Sequence, residues 1–227
     1  MNRLSHYFSN LAFSALIVAP MLLQANLQAQ ITPGSAPSEV KQSLMSQLEQ
    51  RDQEIKQLLG DDGDDGEAIQ GEQREALGRL VFDLLDAEAL AAYALQDTFD
   101  VISVEDREEF VDLFARILRD QSLANLDIYR AEISYDSVAV AKADQLRPTV
   151  EMTDITYVVF TKARFEDVET PVLYIMAEGR KESWRNLDMS IDVVYTAESY
   201  RRQFQGIMRK RGFQPLLESL RRRADRI

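Results

Sequence analysis

Few residues in this chain have side chains suited to chemistry. The single histidine, His6, lies within the first ten residues, and there is no cysteine. A histidine-based triad or a His/Cys zinc site therefore has nothing to draw on in the rest of the sequence. Ser103, Ser183 and Ser199 lack a histidine to activate them, which leaves Ser–Lys chemistry as a formal alternative. Asp188 and Asp192 lie four residues apart in an alternating stretch. Along a strand that is about 13 Å, beyond the roughly 5–9.5 Å of a glycosidase carboxylate pair. They read as solvent-facing or locally hydrogen-bonded aspartates.

The loop "DDGDDGEAIQGE" invites a cation. With Asp61 at loop position 1, Asp65 falls at 5, Gly66 at 6 and Glu72 at 12, as in an EF-hand. However, Gly63 occupies position 3, where a ligand is expected, and Ile69 occupies position 9. The stretch is read first as an acidic hinge between two helices, with calcium as the open alternative. Its carboxylates would repel a phosphate, and no Gly-x-x-x-x-Gly-Lys-Ser/Thr sequence occurs.

Large apolar side chains are more plentiful. Phe82, Phe99, Phe110, Phe114, Tyr157, Phe160, Tyr174, Trp184 and Phe204 are joined by the adaptable Met152, Met176, Met189 and Met208. On periodicity alone they form an ordinary core.

The elements that must position these residues follow from periodicity. "SEVKQSLMSQLEQRDQEIKQLLG" spaces Val40, Leu44, Leu48, Ile55, Leu58 and Leu59 as a helix ending at Gly60. "EQREALGRLVFDLLD" sets Leu77, Leu80, Val81, Leu84 and Leu85 on one helical face, and "AEALAAYALQDTF" reads as a short third helix. "SVEDREEFVDLFARILRDQSLANL" opens with Ser103-x-x-Asp106, close to a capping box, and carries Phe110, Phe114, Ile117 and Leu118 on one face. The period then changes. "YRAEISYDSVAV", "TDITYVVFTKARF", "TPVLYIMAEGR" and "SWRNLDMSIDVVY" are rich in β-branched and aromatic residues and read as four strands joined by hairpins. In the last, alternation places Leu187, Met189, Ile191 and Val193 on one face and Asp188, Ser190 and Asp192 on the other. Two helices close the chain, with Thr196 as N-cap of the first, a joint at Gly212, and Pro215 near the start of the second. The fold class is α+β, with helices packed on one face of a curled, roughly four-stranded antiparallel sheet.

The 227 residues suffice for one domain, or at most two small ones. A hydrophobic content of 45% with 28% charged residues fits a globular chain and argues against disorder. The net charge of −12 disfavours nucleic acid as a partner. "MNRLSHYFSN", the uncharged run Leu11–Leu23 and the small residues after it have the order of a secretory leader. The run is short for a membrane span, which needs about 20 residues. Residues 1–29 are therefore expected to be removed near Ala29, with Ala25 as second choice and a retained anchor as the alternative. Residues 30–227 remain as one exported domain. Its C-terminal end is basic: Tyr200–Ile227 holds nine Arg or Lys against two acids. Such an end suits an anionic partner or lipid headgroups, or simply a solvated helix face.

Four stretches together resemble a known family. They are "RDQEIKQLLG", "EQREALGRLVFDLLDAEALAAYAL", "SVEDREEFVDLFARIL" with its Arg-x-x-Phe, and "WRNLDMSIDVVYTAESYRRQFQGIMRKRGFQPLLESLRR". The last is the most specific, with Trp, Asp, Ser-Tyr-Arg-x-Gln-Phe and Gly-Phe-x-x-Leu-Leu in order. From about Glu39 to Arg223 the chain resembles the MlaC-like periplasmic phospholipid-binding proteins, the toluene-tolerance family. It departs at Leu95-Gln96, where the family has Leu-Gly and then Trp, at Tyr195-Thr196-Ala197 in place of Gly-Val-Ser, and at a tyrosine displaced to Tyr129.

The resemblance implies a carrier that shuttles phospholipid between the outer and inner membranes, with acyl chains in an apolar cavity between sheet and helices. It implies two partners, an outer-membrane lipoprotein–porin complex and an inner-membrane ABC transporter with an MCE-domain ring. It implies no cofactor beyond the lipid cargo, and no enzymatic activity. The expected lining residues are Phe110, Phe114, Leu118, Tyr157, Phe160, Leu173, Ile175, Trp184, Met189, Ile191, Phe204 and Met208. Arg201, Arg202 and Arg209 are the expected headgroup or partner contacts. The alternatives are an exported protein-binding scaffold with a filled core and a histidine-free hydrolase.

Overall fold

The computed structural model describes residues 34–60, 71–124, 129–141, 155–165, 167–179, 183–192 and 194–227. The expected leader and the Asp61–Glu67 loop, with its calcium alternative, lie outside them. A two-residue strand β1 (Gly34–Ser35) precedes helices α1 (Ser38–Leu59), α2 (Gly71–Phe82), α3 (Ala87–Leu95), α4 (Asp97–Val101) and α5 (Val104–Ser122). Strands β2 (Glu132–Ala141), β3 (Thr156–Phe165), β4 (Val168–Glu178), β5 (Trp184–Ile191) and the two-residue β6 (Val194–Tyr195) follow. Helices α6 (Thr196–Arg211) and α7 (Phe213–Ala224) end the chain. The fold is α+β. The strands pair antiparallel in sequence order into one open sheet of four long strands with a short strand at each edge.

Helix α1 buries Leu44, Leu48, Ile55 and Leu59 of the predicted stripe, leaves Val40 and Leu58 partly buried, and stops at Gly60 with φ +74°. In α5, Ser103 Oγ accepts the Asp106 N–H at 3.1 Å, capping the helix at the predicted residue. Helix α2 ends at Phe82, short of the predicted stretch. The chain beyond it turns extended and bridges β5: Asp86 N–H donates to the Asn186 carbonyl at 2.8 Å, and Asn186 N–H to that of Leu84 at 2.6 Å.

The central strands are buried on both faces, which explains why "TYVVF" and "VLYIMA" read as nearly continuous apolar runs. On one face Val138, Tyr157, Val159 and Met176 pack against Leu44 and Leu48 of α1. On the other, Ala139, Val158, Leu173 and Ile175 pack toward Ala89 of α3 and Tyr195. Helices thus lie against both faces, α1 on the first and α3 on the second, and not on one face as the sequence suggested. At the far end of the β3–β4 hairpin the pairs turn charged, with Lys162 and Arg164 on Glu169 at 3.1 and 3.4 Å.

Strand β5 departs from simple alternation. The register with β4 slips between Ile175 and Met176, so Asp188 pairs with Ile175 and Asn186 with Met176, and Leu187 is the extra residue. The bulge turns Leu187 to the face that holds Val158 and Ile175, while Met189 and Ile191 pack with Ala163 and Val172 on the opposite face. The expectation that Leu187 shares a face with Met189 and Ile191 is corrected accordingly. The bulge also aims Asp188. Its carboxylate accepts N–H bonds from Met189 at 2.8 Å and Ala197 at 3.0 Å, so it serves the first turn of α6 from a neighbouring strand. Thr196 is the first residue of that helix and not its N-cap. Its hydroxyl donates to the Met189 carbonyl. Among the described residues, no helix is long and apolar enough to cross a membrane.

Candidate functional site

Helices α5, α6 and α7 form a separate layer whose contact is aromatic. Phe110 is buried against Phe204 edge-on at 5.6 Å, and Phe114 meets Tyr200 and Phe204 at 4.8 and 5.4 Å. Such pairs contribute about 0.5–1.5 kcal/mol each beyond their burial. The Tyr200 hydroxyl donates to Gln121 Oε1, and burial pushes its pKa up to about 12, so it is a neutral donor at any physiological pH. Side-chain contacts clamp α7 onto α5, among them Gln214 donating to Asp106 at 3.0 Å. The Arg221 guanidinium is bidentate on Glu109 at 2.5 and 2.7 Å, and Arg116 donates to the Ala224 carbonyl at 3.3 Å.

Between these three helices lies a cavity of about 680 Å³, within the range of about 300–1,000 Å³ that ligand pockets occupy. Its floor is Phe114, Ile117, Phe204, Leu216 and Leu220, all buried. Gln203, Arg222, Arg223 and Arg226 stand at its rim. The three arginines come from the last turn of α7 and just beyond it, where cations also complement the helix dipole. An apolar floor with a cationic mouth suits a molecule that is apolar along its length and anionic at one end.

A second charged feature fixes α6. The Glu198 carboxylate is buried and accepts from the Tyr93 hydroxyl at 2.5 Å, from Arg201 Nε and Nη2 at 2.7 Å each, and from Arg202 Nε at 2.9 Å. Burial alone would raise its pKa. The Arg201, Tyr93 and Arg202 hydrogen bonds outweigh that and hold it down at about 2. Burial and the adjacent carboxylate push Tyr93 up to about 12. This hub joins α3 to α6, and Gln205 reinforces it by donating to the Leu95 carbonyl at 3.1 Å.

The expected lining residues fall in four places. Phe110, Phe114, Leu118, Phe204 and Met208 meet in the helical layer, and of these Phe114 and Phe204 line the cavity. Phe160, Leu173 and Ile175 lie on the sheet face toward α3. Tyr157 and Trp184 pack under α1, edge to face at 5.4 Å, with the Trp184 indole donating to Ser43 Oγ at 3.0 Å. Met189 and Ile191 belong to the cluster around Ala163 and Val172. Of the expected headgroup arginines, Arg201 is engaged by Glu198, Arg202 shares that carboxylate but is largely exposed, and Arg209 is exposed. The rim arginines were not singled out from sequence. The signal for them was the run Arg221-Arg222-Arg223, in which one member turns to Glu109 and the next two to the cavity. Among the described residues, no cluster of carboxylates or histidines is placed to hold a metal ion.

An open antiparallel sheet with helices against both faces, and a cavity between α5, α6 and α7, define an α+β fold with room for a ligand. The chain belongs to the MlaC protein family, whose pattern matches residues 49–222. The fold is shared with a phospholipid-binding protein from Ralstonia solanacearum, solved in complex with a phospholipid. That protein is 18% identical, with a TM-score of 0.56 over 81% of this chain and 96% of the other. No curated protein matches the sequence.

Proposed function

We propose that this protein is a periplasmic phospholipid carrier, exported by its leader and moving lipid between the outer and inner membranes. The observation that carries the reading is the cavity of about 680 Å³, with an apolar floor under a rim of three arginines, in a member of the MlaC family. The phospholipid bound to the Ralstonia protein of the same fold supports it.

The energetics explain why a carrier is needed. Two acyl chains hold roughly 30 methylenes, and exposing them to water costs on the order of 24 kcal/mol at about 0.8 each. Unaided crossing of an aqueous space is therefore negligible. A cavity of comparable apolarity makes transfer nearly neutral, so small differences in partner contacts set its direction. No nucleophile, metal or cofactor enters such a cycle; the protein binds and releases. In this reading acyl chains enter between α5, α6 and α7, and the lipid phosphate meets Arg222, Arg223 and Arg226. Arg202 and Arg209, exposed on α6, face the partners, an inner-membrane ABC transporter with an MCE-domain ring and an outer-membrane lipoprotein–porin complex. Arg201 acts indirectly, by holding α6 in place through Glu198.

The test is gentle purification of the processed protein, denaturing lipid extraction and mass spectrometry. Near-stoichiometric phospholipid is expected. Ile207→Trp, at a half-buried lining position, should cut the retained lipid about tenfold by filling the cavity. A wild-type protein that is empty, and takes up no lipid from vesicles, would replace the carrier with a protein-binding scaffold.

A further inference from the structure

A second groove adjoins the cavity on the outer side of α6 and α7. It encloses about 300 Å³ and is lined by Gly206, Ile207, Lys210, Arg211, Ser219 and Arg222, together with Pro215. Ile207, Ser219 and Arg222 belong to both spaces, so the groove continues the cavity past its arginine rim. Two features of it need a reason. Gly206 lies in the middle of α6, where glycine is the poorest ordinary helix former. A methyl group there would meet nothing within 4 Å, so no neighbouring element requires the glycine. What its missing side chain does is leave the groove open down to the helix backbone. The second feature is charge. Lys210, Arg211 and Arg222 converge on the groove, and the acid at its edge, Glu218, reaches Arg222 only at 3.9 Å with both side chains more than half exposed. Such a pair is weak and leaves the Arg222 guanidinium able to take another anion.

We propose that this groove binds an anionic oxygen-rich group of the phosphate class. On the carrier reading, from which this part of the proposal follows, it makes the protein select phospholipids whose headgroups carry a net negative charge over zwitterionic ones. The shared Arg222 holds the diester phosphate at the cavity mouth. Lys210 and Arg211 then surround whatever the headgroup places beyond it. A hydroxyl-bearing headgroup such as glycerol is accepted, with Ser219 as a hydrogen-bonding neighbour. An ammonium group placed there meets two cations and is disfavoured.

The experiment offers the processed full-length protein vesicles of equal phosphatidylglycerol and phosphatidylethanolamine and reads the ratio of the two lipids extracted from it. The ratio is taken per lipid recovered, so a change in total uptake does not enter it. Phosphatidylglycerol enriched about tenfold is expected for the wild type. K210Q/R211Q should bring the ratio near one. So should Gly206→Leu, which fills the groove from its floor and places a better helix former in α6, its Cβ meeting nothing within 4 Å. A wild-type ratio near one, or enrichment that survives in both variants, overturns the selectivity. If neither lipid is taken up, the carrier reading fails by itself. The groove is then tested by titration with glycerol 3-phosphate: binding weakened at least about fivefold in K210Q/R211Q supports a groove for free organic phosphates. Equal binding in variant and wild type overturns the groove.

Discussion

The seam under α1 and the layer of α5, α6 and α7 use similar side chains to different ends. Under α1, Trp184 lies edge-on to Tyr157, its indole donates to Ser43, and Gln47 bonds both the N–H and the carbonyl of Trp184. Every polar atom of that residue has a protein partner, and the residue is 6% exposed. In the helical layer Phe110, Phe114, Tyr200 and Phe204 also pack ring against ring, but between α5, α6 and α7 a cavity remains with charges at its mouth. An aromatic cluster therefore does not by itself mark a ligand site. What distinguishes the second region is unfilled space bordered by arginines.

Three substitutions sharpen or break that contrast, alongside the cavity-filling Ile207→Trp. Trp184→Ala should have the largest effect, about 3–5 kcal/mol of stability lost in urea denaturation, as for a buried aromatic replaced by a methyl group. Lipid retained per folded molecule should stay unchanged. If instead the lipid is lost while the fold survives, the seam under α1 is the lipid site and the contrast collapses.

Glu198→Gln comes next. An amide cannot hold two guanidiniums, and about 2 kcal/mol should be lost, less than for a fully buried pair because Arg202 is mostly exposed. The sign with pH follows from the carboxyl's depressed value. Its contribution is fully present above the ordinary 4.5 and is lost as pH falls toward about 2. Thermal melts across that window should therefore show an acid limb in the wild type that is shallower in the variant. Equal limbs would mean that the hub contributes nothing specific. Ser103→Ala, which removes the cap of α5, should cost about 1 kcal/mol and leave lipid content alone.

Much of the framework could be read from residue order, because it is local. Helical stripes, the period change at β2, the Ser103 cap and the stop at Gly60 each depend on residues within a turn or two of one another. What could not be read depends on contacts between distant segments. The β5 bulge exists because Leu187 fits against Val158 and Ile175, 12 or more residues away, and nothing in "NLDMSID" announces a slip. Asp188 read as solvent-facing or locally hydrogen-bonded; it does take the Met189 N–H, but its bond to the first turn of α6 depends on the strand carrying it there. Glu198 was not singled out from sequence, and its partner Tyr93 lies 105 residues earlier. The site was legible as an inventory of apolar and basic residues. Which of them border empty space depends on how three helices splay, and no short-range pattern encodes that. The run Arg221-Arg222-Arg223 shows the limit well: three identical neighbours point to an acid on α5, a shared groove and a cavity rim.

The short edge strands have a consequence for how this molecule behaves in a crowd. The sheet ends on one side in Gly34–Ser35 beside Val140 and Ala139, and on the other in Val194–Tyr195 beside Ile191 and Ser190. Among the described residues each of these edge strands is two residues long, a short template for another strand. Along the remainder of β2, the exposed Glu132, Ser134 and Asp136 alternate outward. A second copy attempting to add a strand there would bring like charges together. Among the described residues, short strands at both margins and acids along β2 thus work against strand addition by a second copy.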